Sequence, residues 1–170
     1  MPHIIFSHGR DSEPWGSKII AMAEVARGYG LTVESVDYRD TNDPQLRTQR
    51  LIEIGQRLGG ELILVGSSLG AHVSTAASTH VPTRGLFLLA PAFFMPGYEQ
   101  YTPTPADCPV AIVHGWHDTV VPVDNSIRFA RLHRCALHVV HGDHRLIDQL
   151  PQIRHLLAGF LEQVLPKTSV

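Results

Sequence analysis

The strongest constraint on how this chain folds is a recurring pattern of short, dominantly apolar runs, Ile4–Phe6, Leu62–Val65, Leu86–Leu89, Val110–Val113 and Leu137–Val140, separated by stretches of helical periodicity. Such runs need cover on both faces, which is how strands of a parallel sheet read in sequence. Leu31–Val36 differs: Leu31, Val33 and Ser35 alternate with Thr32, Glu34 and Val36, a half-exposed pattern that predicts a strand near the sheet edge. The intervening segments carry helix punctuation. Lys18–Arg27 sets Ile19, Met22, Ala23 and Ala26 on one face and runs into Gly28 and Gly30. Asp43-Pro44 supplies an N-cap and first-turn proline for a helix through Leu51, Ile54 and Leu58, closed by Gly59-Gly60. Further helices are predicted over about Leu69–Ser78, Asp124–Leu132 and Pro151–Leu165. Strand alternating with helix predicts right-handed crossovers and a mainly parallel sheet of six strands with helices on both faces, an α/β fold in three α/β/α layers.

Six strands and their helices use almost all of the 170 residues, so one domain over 1–170 is expected, with little chain left for a lid. Hydrophobic residues at 44% and charged residues at 18% exclude a disordered chain. With 14 Lys and Arg against 16 Asp and Glu and no long like-charge run, there is no electrostatic footprint for nucleic acid or an anionic membrane, which leaves small molecules as expected partners. Met1-Pro2-His3 leads straight into Ile4-Ile5-Phe6 without a basic segment or long apolar stretch, and no apolar run approaches the roughly 20 residues needed to span a bilayer. The two cysteines, Cys108 and Cys135, lie outside any CxxC spacing, so neither a disulfide framework nor a thiolate metal site is expected, and a cytoplasmic setting fits best. One long aperiodic connection, Pro91–Pro109, holds Phe93, Phe94, Met95, Tyr98 and Tyr101 among five prolines and is expected to border a cleft at the carboxyl edge of the sheet.

The chemistry-bearing signal is Gly66-Ser67-Ser68-Leu69-Gly70, a G-x-S-x-G motif that follows one predicted strand and opens a predicted helix. Glycines two residues to either side leave room for a sharp turn that lifts the Ser68 hydroxyl above the sheet, with the positive end of the helix behind it. Taken alone the pentapeptide also fits a glycine-rich turn with a capping serine; without a Gly-Lys-Ser/Thr ending or a second dinucleotide-type glycine, it fits a phosphate loop less well. A serine nucleophile needs an imidazole base and an acid that fixes the tautomer. Asp118 lies just past the Val110–Val113 run, and His144 just past Leu137–Val140, giving the order Ser, Asp, His with each residue beyond its own strand. His141 competes for the base; His144 is preferred because it lies farther past the strand end, after Gly142. A metal site is not expected, because His138 and His141, three apart on a strand, point to opposite faces and no HExxH pair occurs. Trp15, Trp116, Phe93 and Phe94 are candidates to line an acyl pocket or, equally, to pack against the sheet.

Four segments together resemble the α/β-hydrolase superfamily, specifically its small bacterial, lid-less, single-domain hydrolases and esterases. They are Phe6-Ser7-His8-Gly9-Arg10 through Ser12, Pro14 and Lys18; the Gly66–Gly70 motif; His114-Gly115-Trp116-His117-Asp118 with Val121-Pro122; and Gly142-Asp143-His144-Arg145-Leu146. The resemblance implies a trimmed hydrolase fold without a cap domain and with strand order 2-1-3-4-5-6. It implies Ser68 as nucleophile, Asp118 as acid and His144 as base, with the backbone N–H groups of Leu69 and Arg10 as the oxyanion hole. The implied activity is cofactor-free hydrolysis of small or short-chain carboxylic esters through an acyl-enzyme. Thioesters and amides would use the same machinery, and a catalytically silent binding protein or a flavodoxin-like binder are the alternatives. The Arg10 side chain either pairs with Asp11 or Glu13 or faces an anionic substrate.

Overall fold

The structure is a computed structural model describing residues 1–167; residues 168–170, part of the expected 1–170 domain, lie outside the described residues. Six strands, β1 (His3–Ser7), β2 (Thr32–Val36), β3 (Leu62–Ser67), β4 (Thr83–Leu89), β5 (Val110–Gly115) and β6 (Ala136–Val140), form one sheet in the order β2-β1-β3-β4-β5-β6. Every neighbouring pair is parallel. The helices are α1 (Ser17–Gly28), α2 (Pro44–Leu58), α3 (Leu69–Ser78), α4 (Val123–His133) and α5 (Leu150–Val164).

The two sheet faces follow from strand periodicity. Ile4, Phe6, Ile63, Val65, Phe87 and Leu89 point to one side and pack with Ile19, Met22 and Ala23 of α1 and Ile153, Leu157 and Leu161 of α5. Ile5, Leu62, Leu64, Leu86, Leu88 and Ile112 point to the other, against Leu51 of α2, Ala71, Val73 and Ala77 of α3, and Phe129 of α4. The central strands β3 and β5 are buried along their whole length, as their apolar runs require. The terminal strand β6 departs from that pattern: Leu137–Val140 is only half-buried, because an edge strand has a neighbour on one side alone. At the opposite edge, β2 begins at Thr32 rather than Leu31.

Local signals set the helix boundaries. Asp43 Oδ1 accepts the N–H groups of Gln45 and Leu46 at 2.8 and 3.0 Å, so the cap satisfies two of the donors left open at the start of α2. Gly59 and Gly60, both at φ +69°, end that helix. From β1 the chain crosses to β2 on one side, and from β3 it crosses to β4 on the other. The loops after β1 and β3 therefore diverge to opposite faces, leaving a crevice at their carboxyl ends.

Candidate active site

That crevice is an open groove of ≈ 2010 Å³, lined among others by His8, Gly9, Arg10, Ser67, Ser68, Leu69 and His144. Ser68 stands between β3 and α3 at φ 56°, ψ −115°, a backbone state that costs a non-glycine residue about 1–3 kcal/mol and is held by its surroundings. The Ser68 N–H donates to Leu89 O at the end of β4 (2.9 Å), and its carbonyl accepts the N–H of Ala92 (3.1 Å). The flanking glycines permit the turn sterically. A Cβ on Gly66 would lie 2.3 Å from Gly70 O, and one on Gly70 would lie 2.0 Å from Ser7 O, so α3 can approach β1 and β3 only without side chains there.

Two hydrogen bonds join the three sequence-predicted residues into one chain. His144 Nε2 lies 3.0 Å from Ser68 Oγ, and His144 Nδ1 lies 2.7 Å from Asp118 Oδ2. An ionised carboxylate only accepts, so the Nδ1 proton belongs on the Asp118 side, and the lone pair of Nε2 faces the serine hydroxyl. The Asp118 side chain is fully buried. Its Oδ1 accepts the N–H groups of Val120 and Val121, both at 2.8 Å, and its Oδ2 also faces His114 Nε2 at 3.1 Å. These four contacts satisfy the oxygens of a side chain that has no access to water. His114, itself fully buried at the end of β5, lies 2.7 Å from Ser126 Oγ and 2.8 Å from Val121 O, and burial lowers its pKa. His141 is not part of the chain; its ring lies edge-on to His117 at 4.9 Å.

Behind the β1–α1 loop sits a second polar cluster that sequence patterning did not single out. Arg47 projects from α2 and is fully buried. Its guanidinium donates to Thr41 O (2.7 Å), His8 O (3.0 Å), Gly9 O (3.3 Å), Tyr38 O (3.4 Å) and Asn42 Oδ1 (3.0 Å). His8 Nε2 accepts the Tyr38 N–H at 2.9 Å, which leaves the proton on Nδ1 to be donated to Gly9 O at 2.8 Å. The loop carrying Gly9 and Arg10 is thereby fastened from behind. Among the described residues, neither the Leu69 nor the Arg10 N–H has an intramolecular acceptor. The Arg10 side chain is exposed, 3.8 Å from Asp11.

The four aromatic pocket candidates do not line the groove. Phe93 is fully buried and stacked on Phe129 with centroids 3.9 Å apart; Phe94 lies under the Arg128 guanidinium. Trp116 is exposed beyond β5, and Trp15 lies against Arg27. Phe94 adopts φ 50°, which rolls the segment over and delivers Met95, Tyr98 and Tyr101 to the groove instead. Among the described residues no group of three or more His, Cys, Asp or Glu side chains is arranged to hold a metal ion, and no helix is long and apolar enough to cross a membrane.

A parallel sheet ordered 2-1-3-4-5-6, with a strained serine after β3 bonded to an imidazole from beyond β6, defines the class of hydrolases built on this layered fold. The sequence model of the alpha/beta hydrolase family matches residues 4–166, and the chain belongs to that family. A protein of the alpha/beta hydrolase superfamily from Xanthomonas campestris pv. campestris is 34% identical, with 96% of this chain and 99% of that chain covered and a TM-score of 0.89. Two further structures share the fold. The serine hydrolase without a lid XC6422, from Xanthomonas campestris, is 19% identical over 98% of this chain and 84% of its own, with a TM-score of 0.81. Est1E from Butyrivibrio proteoclasticus is 17% identical over 95% and 87%, with a TM-score of 0.82. No curated protein matches the chain. The lid-less form follows from the same architecture, since the chain passes from β4 to β5 without an inserted domain.

Proposed function

We propose that this hydrolase cleaves small or short-chain carboxylic esters through an acyl-enzyme on Ser68. The observation that carries the reading is the unbroken Ser68–His144–Asp118 hydrogen-bond chain at 3.0 and 2.7 Å. Ser68 Oγ attacks the ester carbonyl while His144 Nε2 takes its proton; Asp118 holds the imidazole and stabilises the imidazolium. The developing oxyanion is met by the free N–H groups of Leu69 and Arg10, the former at the positive end of α3. Collapse of the tetrahedral adduct breaks the C–O bond, and His144 gives its proton to the departing alcohol. Water then attacks the acyl carbon with His144 as base, releasing the acid and returning the proton to Ser68.

Leu69, Met95, Tyr98, Val120 and Ile147 supply the apolar part of the groove that takes the substrate. Among the described residues no segment covers it, which favours short acyl groups over lipids that need a deep tunnel. Thioesters and activated amides fit the same steps. The free thiols Cys108 and Cys135, pushed up to about 11 chiefly by burial, stay protonated and suit a reducing, cytoplasmic setting. The deciding experiment is labelling with a fluorophosphonate probe beside a p-nitrophenyl ester series from acetate to long acyl chains. Label lost in Ser68→Ala and kept in Ser67→Ala, with turnover falling as the chain lengthens, is the expected result. Absence of label from the folded wild type would assign the chain to silent binding proteins.

A further inference from the structure

Several charged side chains around the groove are already engaged within the protein. Arg10 faces Asp11, Arg39 pairs with Asp37 at 2.7 Å, and Asp43 caps α2. Lys18 and Arg145 also line the groove, and among the described residues neither has a carboxylate at ion-pair distance. Lys18, in the first turn of α1, is half-buried and donates only to Ser67 Oγ, at 3.0 Å, on the residue preceding Ser68. An ammonium has three N–H donors, so two remain. Two carboxylates act on Lys18 from a distance, and neither reaches it at ion-pair distance. Asp118 is saturated as described above, and Asp143 Oδ1 accepts the backbone N–H groups of Arg145 and Leu146 at 3.0 and 3.2 Å. Burial, reinforced by the charge of Arg145 and opposed by Asp143 and Asp118, pushes the Lys18 amine down to about 8. A half-buried ammonium with two N–H donors unused, lining the same groove as a guanidinium that has no ion-pair partner among the described residues, can receive the oxygens of an anionic ligand.

We propose that Lys18 and Arg145 form an anion subsite beside Ser68, so that the preferred substrates are esters carrying a second, free anionic group. A carboxylate or a phosphate supplies the oxygens; Arg145 offers a planar fork and Lys18 a point charge. The subsite rests on the ester-hydrolase reading, since it acquires its meaning from Ser68 attacking the neighbouring carbonyl. It assigns Lys18 to substrate choice and leaves the proton transfers to His144.

The test compares monoethyl adipate with ethyl hexanoate at pH 7 in a pH-stat, with a phosphate-bearing ethyl ester of equal length as a third arm that separates the two anions. The expected wild-type kcat/KM ratio of anionic to neutral ester exceeds about tenfold at low salt and shrinks as salt is raised. In Lys18→Met and in Arg145→Met the ratio drops by about tenfold or more. Lys18→Glu shifts preference toward ethyl 6-aminohexanoate, a gain that misfolding does not produce. A wild-type ratio at or below one for both anionic esters, or one unmoved by Lys18→Met, overturns the subsite. Should no ester be cleaved by the wild type, calorimetric titration of Ser68→Ala with adipate and with inorganic phosphate decides separately. Saturable binding that Lys18→Met abolishes keeps the subsite while the hydrolase reading fails, and absence of binding to either anion removes both.

Discussion

The two polar clusters that flank the groove are built from similar residues and do different things. On the β5–β6 side, His144 and Asp118 pass hydrogen bonds from side chain to side chain and end on a hydroxyl facing the groove. On the β1–α2 side, His8 and Arg47 send theirs into the backbone carbonyls of Thr41, Tyr38, His8 and Gly9, together with Asn42, and present no side-chain group to a substrate. The first arrangement has a proton that can move along it. The second fixes the loop that offers the Arg10 N–H. The difference teaches that a histidine is informative only through what both its nitrogens touch: contacts that all end inside the protein, as for His8 and His114, make it a brace, and a carboxylate on one side with a groove-facing hydroxyl on the other suits it to act as a base.

Substitutions should separate the clusters into one that governs rate and one that governs stability. Ser68→Ala is expected to lower kcat by a factor on the order of 10⁶, with an unchanged melting temperature. Asp118→Asn, which removes the preference for the correct tautomer, should cost about 10⁴ in kcat, as the equivalent change does in serine proteases. His144→Ala should abolish most turnover, whereas His141→Ala should leave it nearly intact; the opposite outcome in ester kinetics would reassign the base. On the bracing side, Arg47→Met strands several carbonyls in the interior and should cost about 3 kcal/mol. In a chain of this size that is a melting-point drop of about 6–12 °C by calorimetry.

The smallest expected effect concerns pH. Burial lowers the pKa of both His8 and His114 from 6.5, so the folded state holds them neutral while the unfolded chain takes up protons near 6.5. The unfolded state then binds more protons below that value, and the associated stability, present above about 6.5, is lost as the pH falls. Urea midpoints measured from pH 8 down to 5.5 should decline, and less steeply in His8→Gln. An equal slope in the two proteins would mean that His8 is not held neutral.

What the sequence disclosed depended on whether a residue's neighbours in the chain were also its neighbours in space. The Asp43-Pro44 start of α2, the doubly covered strands and the glycines around Ser68 are local signals, and the structure contains them where periodicity and turn chemistry put them. Asp118 and His144 were legible because each follows a strand of a parallel sheet, whose carboxyl ends share one edge. Arg47 was not. Its position, one turn before Leu51, lies on the buried face of α2, but an arginine is rarely fully buried, and only carbonyls brought from distant segments, those of His8 and Gly9 among them, make its burial tolerable. For Phe93 and Phe94 the sequence leaves pocket and core equally open, for a related reason. Nothing in Pro91-Ala92-Phe93-Phe94 announces the positive φ of Phe94 or of Ala90 before it, since neither is glycine, and those two dihedrals decide which aromatics face the groove.

The hydrogen bond from the Ala92 N–H to the Ser68 carbonyl joins the proline-rich segment to the main chain of the serine proposed as nucleophile. The same stretch supplies Met95 and Tyr98 to the groove. Diversification of this hydrolase by exchanging that segment is therefore anchored at its root: a transplanted version has to reproduce the Ala92 geometry before any new preference can be expressed, whereas changes beyond Met95 are free of that condition.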